Sequence, residues 1–320
     1  MNCLRRCWAE IDLDNISYNI EQYRRYLKDG TELLCVVKAN CYGHSEAIVV
    51  PHLEKLGIKW YAVSNLIEAE HLRNLGVKGE ILILGYTPEE NADEVQKIMA
   101  LENVQVEGMF THYAVADSDE ESCTEYTQAQ TDKILALDDE LKRRGIDLAC
   151  VHFLNSAGGV YHSNERSALA RLGIILYGLY PDPATPLPFE PKPVMTLKAV
   201  VSQVKFIEAG TTVSYGRTFT ADKRIKLATV TAGYADGFPR ALSNKGEVII
   251  KGVRCPIVGR ICMDQFMCDV SALDDVGEGD VATLFGSEIT ADDIAKQVGT
   301  IGYEIVCGIA ERVPRITTGE

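Results

Sequence analysis

Apolar runs of strand length alternate with stretches of helical period through the first half of the chain. Strands are expected at 33–39 (LLCVVKA), 60–65 (WYAVSN), 80–85 (EILILG), 104–113 (VQVEGMFTHY), 150–156 (CVHFLNS) and 169–178 (LARLGIILYG). Between them the spacing predicts helices near 44–57, 66–76, 88–101 and 120–145; the last opens among acids and closes on KRRG, as the helix dipole prefers. Runs that are apolar on both faces and separated by helices indicate a parallel α/β arrangement, either a barrel or a doubly wound sheet. Six such strands stand where a closed (β/α)8 barrel has eight.

The texture changes at the proline-rich stretch YPDPATPLPFEPKP (180–193), which cannot lie inside a helix or a sheet and reads as a crossover. Beyond it come short β-rich runs broken by glycine and aspartate, with one helix expected over 290–299. The division expected is an α/β domain over 1–190 and a mostly-β domain over 191–320, the first strand belonging to either one.

Composition narrows the function. Apolar residues make up 46% and charged residues 24%, enough for ordinary globular cores. The net charge of -14, with no run of lysine or arginine to follow a phosphate backbone, argues against nucleic acid as a partner. No stretch approaches the ~18 continuous apolar residues of a membrane span, and MNCLRRCWAEIDLDN breaks into charges before a signal core develops. A cytoplasmic chain with no membrane segment is expected. Its ten cysteines are scattered, with no CxxC pair and no zinc spacing, so they read as reduced packing residues.

One charge sits oddly. Lys38, in LCVVKANCYGHS, follows an apolar strand directly. In a parallel barrel the strand C-termini form the active face, so an amine there is placed to attack a carbonyl. The same position also suits a lysine that runs its stem along the strand end to reach water.

These residues, with CWAEIDLDNISYNI before them, resemble the alanine racemases, pyridoxal-phosphate enzymes with a (β/α)8 barrel followed by a β domain. The likeness recurs in EGMFTHYAVAD, NSAGG, ARLGIILYG, TVSYGRT, AGYADGFPR, GRICMDQFMCDV and GYEIVCGIAERVPR, nearly end to end. It implies an alanine-racemase-like barrel and racemisation of L-alanine to D-alanine for peptidoglycan precursors. It also implies pyridoxal 5'-phosphate as cofactor and a homodimer with shared active sites.

The resemblance assigns roles position by position. Lys38 becomes the residue joined to the cofactor and one of two acid/base groups; Tyr215, reaching in from the partner subunit, becomes the other. One lysine in a fixed place cannot serve both faces of a flat intermediate, so a second group is needed. Tyr42, Ser156, Gly173, Ile174 and Tyr303 match the phosphate site, and Arg171 matches the partner of the pyridine nitrogen. His112 matches the histidine that bonds toward the tyrosine and this arginine. Met263 matches the residue whose backbone N–H meets the substrate carboxylate, while Arg240 and Asp264 match supporting polar positions.

Departures from the family pattern are equally informative. Between ILILGYTPEE and VQVEGMFTH the family carries a KxDTGMxRLG motif that this chain does not have. The gap corresponds to about two β/α units. With it goes the arginine that contacts the cofactor's phenolic oxygen and the substrate carboxylate, together with the lysine that positions that arginine. Phe110 replaces a tyrosine of some relatives. ILILGYTP resembles the serine racemases of vancomycin-resistance type, whereas Tyr303, bulky beside a hydroxymethyl group, favours alanine. Two other readings stay open: a cofactor-carrier protein, against which the β domain with Tyr215 speaks, and a cofactor-binding homologue with impaired turnover.

Overall fold

The computed structural model describes residues 6–85 and 106–319. The helix expected near 88–101 and the start of the strand expected at 104–113 lie outside the described residues, as does Cys3.

Strand β1 (Cys7–Asp12) leads into a helix over Leu13–Arg24, started by Asp12, whose carboxylate accepts from the Asn15 amide at 3.1 Å. The parallel strands follow: β2 (Glu32–Val36), β3 (Trp60–Val63), β4 (Glu80–Ile83), β5 (Gly108–Phe110), β6 (Cys150–His152) and β7 (Leu169–Leu172). Helices at Glu46–Lys55, Leu66–Asn74, Glu121–Arg143 and Ser156–Tyr161 lie between them. β4, β3, β2 and β7 pair side by side, all parallel. β5 pairs with β6, and the bridge between Leu154 and Ala170 carries β6 onto β7. The result is an arc of six parallel strands running β4-β3-β2-β7-β6-β5, with no pairing between β4 and β5 among the described residues.

The second half is antiparallel. Strand β8 (Met195–Ile207) is long enough to serve two neighbours in succession. Its first half pairs with β1, and its second half pairs with β11 (Ile225–Val230) after the small hairpin β9 (Thr212–Val213) and β10 (Phe219–Thr220). Strands β12 (Glu247–Ile250), β13 (Val253–Val258), β14 (Phe266–Asp269) and β15 (Val281–Phe285) complete a ring in the order β11-β14-β13-β12-β15-β8, closed by the β8–β11 pairing. Beside it β1 pairs in parallel with β16 (Arg315–Thr318), so the first described strand is built into the sheet of the second half.

Several expectations need correction. The strand expected at 33–39 stops at Val36, and Lys38 lies in the turn beyond it. The run 169–178 is strand only through Leu172; Ile174–Tyr177 form a 3-10 turn, because an apolar run reports burial and not conformation. Helices at Leu13–Arg24, Ser156–Tyr161 and Gly302–Cys307 were not anticipated. The helix over Ala291–Val298 has a Thr290–Asp293 capping box and matches the expected 290–299. All nine described cysteines are free, and no described helix is long and apolar enough to cross a membrane.

Candidate active site

The parallel pairing of β2 between β3 and β7 aligns Cys35 with Tyr61 on one side and Leu172 on the other, which brings the residues after β2 and β7 to the same end of the arc. Lys38, half-buried, stands there. It opens a turn in which Ala39, Asn40, Cys41 and Tyr42 all have φ between +52° and +55°. A run of non-glycine residues in the left-handed region costs about 1–2 kcal/mol per residue, so the surroundings must hold it in place.

They do so at each residue. The Glu68 carboxylate accepts from the Ala39 amide at 3.0 Å and from the Ser64 amide at 2.7 Å. Burial alone would raise the Glu68 carboxyl, but these hydrogen bonds and the nearby Lys38 charge outweigh it and leave it below its ordinary value. The Asn40 side chain accepts from the Glu46 amide at 2.7 Å. Nδ1 of His44 lies 3.1 Å from the Cys41 carbonyl and 3.0 Å from the Tyr42 carbonyl. The Arg315 guanidinium, from β16, donates to the Gly43 carbonyl at 2.9 Å and to the Ile309, Ala310 and Val313 carbonyls as well. Glycine is required at 43, where φ is +80° and a Cβ would sit 2.3 Å from the Val306 oxygen.

Across the end of the arc lies Arg171, almost fully buried on β7. Its Nη1 is 2.9 Å from His152 Nδ1, while its Nη2 donates to the Thr111 carbonyl at 2.9 Å and lies 3.3 Å from His112 Nδ1. Phe110 packs over the guanidinium, 5.2 Å from its ring centre, and stacks on His152 at the same separation. Burial pushes the Arg171 guanidinium down to about 10, still protonated at neutral pH. Burial and the Arg171 charge lower His152 to about 3. His112 is open to solvent at one edge; partial burial, then the charges of Arg171 and Lys38, hold it below the ordinary imidazole range. Arg171 donates to both rings, so each Nδ1 accepts and each ring proton sits on Nε2. The Nε of Arg171 is buried with no partner among the described residues.

The third group is a cradle. The Gly173 amide donates to Ser156 Oγ at 2.9 Å, and Asn155 caps that serine's helix by accepting from the Gly158 amide at 2.8 Å. A Cβ at Gly173 would sit 3.2 Å from the Tyr42 hydroxyl and 3.5 Å from Ser156 Oγ, so the absent side chain leaves room between two hydroxyls and the start of the Ile174–Tyr177 turn. Burial holds the Tyr42 and Tyr303 hydroxyls protonated, and their ring centres are 6.1 Å apart. Hydroxyl donors and backbone amides around such a space suit a phosphate.

Lys38, Tyr42, His112, Ser156, Arg171, Gly173, Ile174 and Tyr303 are thus assembled from separate segments at one end of the arc. Tyr215, Met263, Arg240 and Asp264 are not part of that assembly within one chain. Tyr215 is 73% exposed on a turn with positive φ at Ser214, Gly216 and Arg217, and no described hydrogen bond or ring contact joins it to the barrel residues. The turn is held by Ser214 Oγ donating to the Arg260 carbonyl at 2.6 Å and by Arg217 Nε donating to Thr212 Oγ1 at 2.9 Å. Met263 is likewise exposed, and Arg240 lies on the surface. Asp264 accepts from Arg312 at 2.7 Å, and Arg312 also bonds the buried Asp236 at 2.9 Å. Sequence reasoning missed His152, Glu68 and His44. His44 stands two residues after Tyr42 in LCVVKANCYGHS, and that proximity was its only signal; His152, between apolar neighbours in CVHFLNS, reads as core.

Known proteins are similar to this chain in sequence and in fold. The family profile described as "Alanine racemase, N-terminal domain" matches in two pieces, over residues 11–99 and 84–181, and "Alanine racemase, C-terminal domain" matches over 194–317. "Alanine racemase 1" of Clostridium acetobutylicum is 37% identical over 372 aligned positions, which take in 98% of this chain and 95% of that one. Among solved structures, the alanine racemase of Clostridium difficile 630 in complex with cycloserine superposes with a TM-score of 0.92 at 35% identity, covering 98% of this chain and 96% of that one. That of Bartonella henselae with covalently bound pyridoxal phosphate gives 0.84 at 27% identity, covering 98% and 99%.

Proposed function

Because the chain belongs to the alanine racemase family, we propose that it interconverts L- and D-alanine with pyridoxal 5'-phosphate as cofactor, exchanging the α-proton between Lys38 and Tyr215 of the partner subunit. It is an amino-acid racemase, an isomerase. When bound, the cofactor supplies an aldehyde to join an amine and a ring that draws electrons from the α-carbon.

The residues present fit that group. Arg171 Nε is a buried donor lacking a partner among the described residues, which a pyridine nitrogen would satisfy, and the space at Gly173 between two hydroxyls suits its phosphate. This pairing of an orphan donor with a phosphate-sized cradle, both at the end of the arc that holds Lys38, is the observation that carries the reading. An arginine keeps its proton at any working pH, so the ring nitrogen it faces stays unprotonated and draws electrons less strongly. Return of the proton to the α-carbon is then favoured over other outcomes.

Tyr215 supports the second half of the proposal. A large aromatic side chain left in solvent on a hydrogen-bonded turn, with exposed Met263 in the same domain, suits a surface completed by a second copy of the chain. The dimer would bring Tyr215 to the face of the substrate opposite Lys38, and Met263 to the substrate carboxylate. Asp264 and Arg240 would support that edge. A cytoplasmic location goes with this role.

The alignment to the Clostridium acetobutylicum relative spans 372 positions against the 320 residues here, and the N-terminal profile matches in two pieces. Both observations support the absence of about two β/α units. The KxDTGMxRLG arginine is absent with them, and we infer a slower enzyme with a weaker hold on the substrate carboxylate. Serine is the second substrate to consider because of the ILILGYTP likeness; Tyr303, whose half-buried ring stands 6.1 Å from Tyr42, favours alanine.

The test is circular dichroism of L-alanine and of L-serine incubated with protein and cofactor, repeated with Tyr215→Phe. Loss of alanine optical activity faster than that of serine is expected. In deuterated solvent the variant should slow α-proton exchange from one enantiomer more than from the other. Equal slowing would count against two bases, and no loss of optical activity with either substrate would remove the racemase assignment.

A further inference from the structure

We propose that His44 is a positioning residue: its Nδ1–H clamps the left-handed turn and thereby sets the Lys38 amine and the Tyr42 hydroxyl toward the cofactor site. This deepens the function proposed above and rests on it for the part that concerns the cofactor.

The argument starts from the turn. Its own amides bond as far as left-handed geometry allows, Cys41 N to the Val37 carbonyl at 3.0 Å and Gly43 N to the Ala39 carbonyl at 3.0 Å. The Tyr42 carbonyl has no backbone partner among the described residues. His44 supplies one, reaching back over two residues so that one ring nitrogen lies within 3.1 Å of the Cys41 and Tyr42 carbonyls together. Both partners only accept, so Nδ1 must carry the proton.

The other nitrogen shows what this arrangement costs. Nε2 of His44 is a buried acceptor with no partner among the described residues, on a side chain that is 0% exposed. An apolar residue would avoid that orphan, so the feature that accounts for histidine here is the donor at Nδ1. The ring is held in position: it packs on Tyr177, with centroids 4.6 Å apart, and the Tyr177 hydroxyl donates to the Val36 carbonyl at 2.8 Å, at the end of the strand that leads to Lys38. Tyr177 also lies 4.8 Å from the Tyr42 ring, so one aromatic stack ties the clamp to the residue that lines the cradle.

Three variants of the full chain separate the donor from the ring. In His44→Asn the amide nitrogen falls where Nδ1 was and keeps the donor. In His44→Gln it falls nearer the Nε2 position, and His44→Leu removes it. Two quantities are read: amide hydrogen exchange at residues 39–44 in cofactor-free protein, and the dissociation constant for pyridoxal 5'-phosphate from its visible absorbance. We expect Asn to stay within about threefold of the parent in both, and Gln and Leu to speed exchange and weaken binding by about tenfold or more, with exchange in β12 to β15 unchanged.

Gln or Leu matching the parent would overturn the proposal, as would Asn failing as badly as Leu, which would assign the effect to ring packing. Exchange is measured without cofactor, so a parent protein that binds no pyridoxal 5'-phosphate would sink the functional reading while the clamp is still decided by its own result.

Discussion

Nη1 of Arg171 lies 2.9 Å from Nδ1 of His152, with Phe110 packed against both. The contact fixes the roll of a guanidinium that has no freedom elsewhere: Nη2 is committed to the Thr111 carbonyl and His112, and Nε is the nitrogen left without a partner among the described residues. Replacing His152 by Phe keeps a ring for Phe110 to stack on and strands one buried donor of a charged group. The expected loss is about 1–3 kcal/mol in urea unfolding, together with weaker cofactor binding. An unchanged unfolding midpoint would show that the two nitrogens contribute nothing to each other.

Lys38 is half-buried and forms no described ion pair. Lys38→Ala should therefore abolish the visible absorbance of protein-linked cofactor and all racemisation, yet shift unfolding by no more than about 0.5 kcal/mol. Absorbance that survives dialysis of the variant would assign the linkage to another amine.

Ser45 has φ +82° and ψ +111° and its side chain caps nothing, although it precedes the helix over Glu46–Lys55. A serine in that region carries strain of roughly 1–3 kcal/mol, whereas glycine adopts it freely at a cost of about 0.5–1 kcal/mol in the unfolded chain. Ser45→Gly should thus raise stability by about 1 kcal/mol, read as a higher melting temperature with activity retained.

Acid should act on the buried imidazoles before it reaches most carboxylates. Burial holds His44 at about 4, with the Arg315 charge adding to the effect, while burial and Arg171 hold His152 at about 3. The unfolded chain takes up these protons near pH 6.5 and the folded chain does not. The stability that the neutral imidazoles contribute is therefore complete above about pH 6.5 and declines as pH falls toward 4, by up to about 1.4 kcal/mol per pH unit for each. Melting temperature followed from pH 7.5 to 5 should fall, and His44→Asn, which removes one titrating group, should flatten that slope. An identical slope in the variant would show that His44 does not stay neutral in the fold.

The site was legible where function imposes a residue type on a short motif. Gly173, Ser156, Arg171 and His112 each sit in such a stretch, and each lies at the same end of the arc. His152 was not, because a histidine between apolar neighbours on a strand reads as core. Only the register that bridges Leu154 to Ala170 places its Nδ1 against a guanidinium. The left-handed turn was hidden for a different reason: glycine is the residue that advertises positive φ, and Ala39, Asn40, Cys41 and Tyr42 are not glycine. Glu68 could not be anticipated at a distance of 29 residues from the amide it accepts. The end of β7 was misjudged because Ile174 to Tyr177 are as apolar as the strand they follow.

Arg315 reaches the Gly43 carbonyl across 272 residues of sequence, and β16, which carries it, lies beside β1. On the ribosome these partners are made far apart in time. The lysine-bearing segment leaves the exit tunnel early and waits through most of translation before its last restraint arrives. A nascent polypeptide stalled ahead of Arg315 would already carry Lys38, Ser156 and Arg171 but would lack the guanidinium that ties the Gly43 carbonyl to β16.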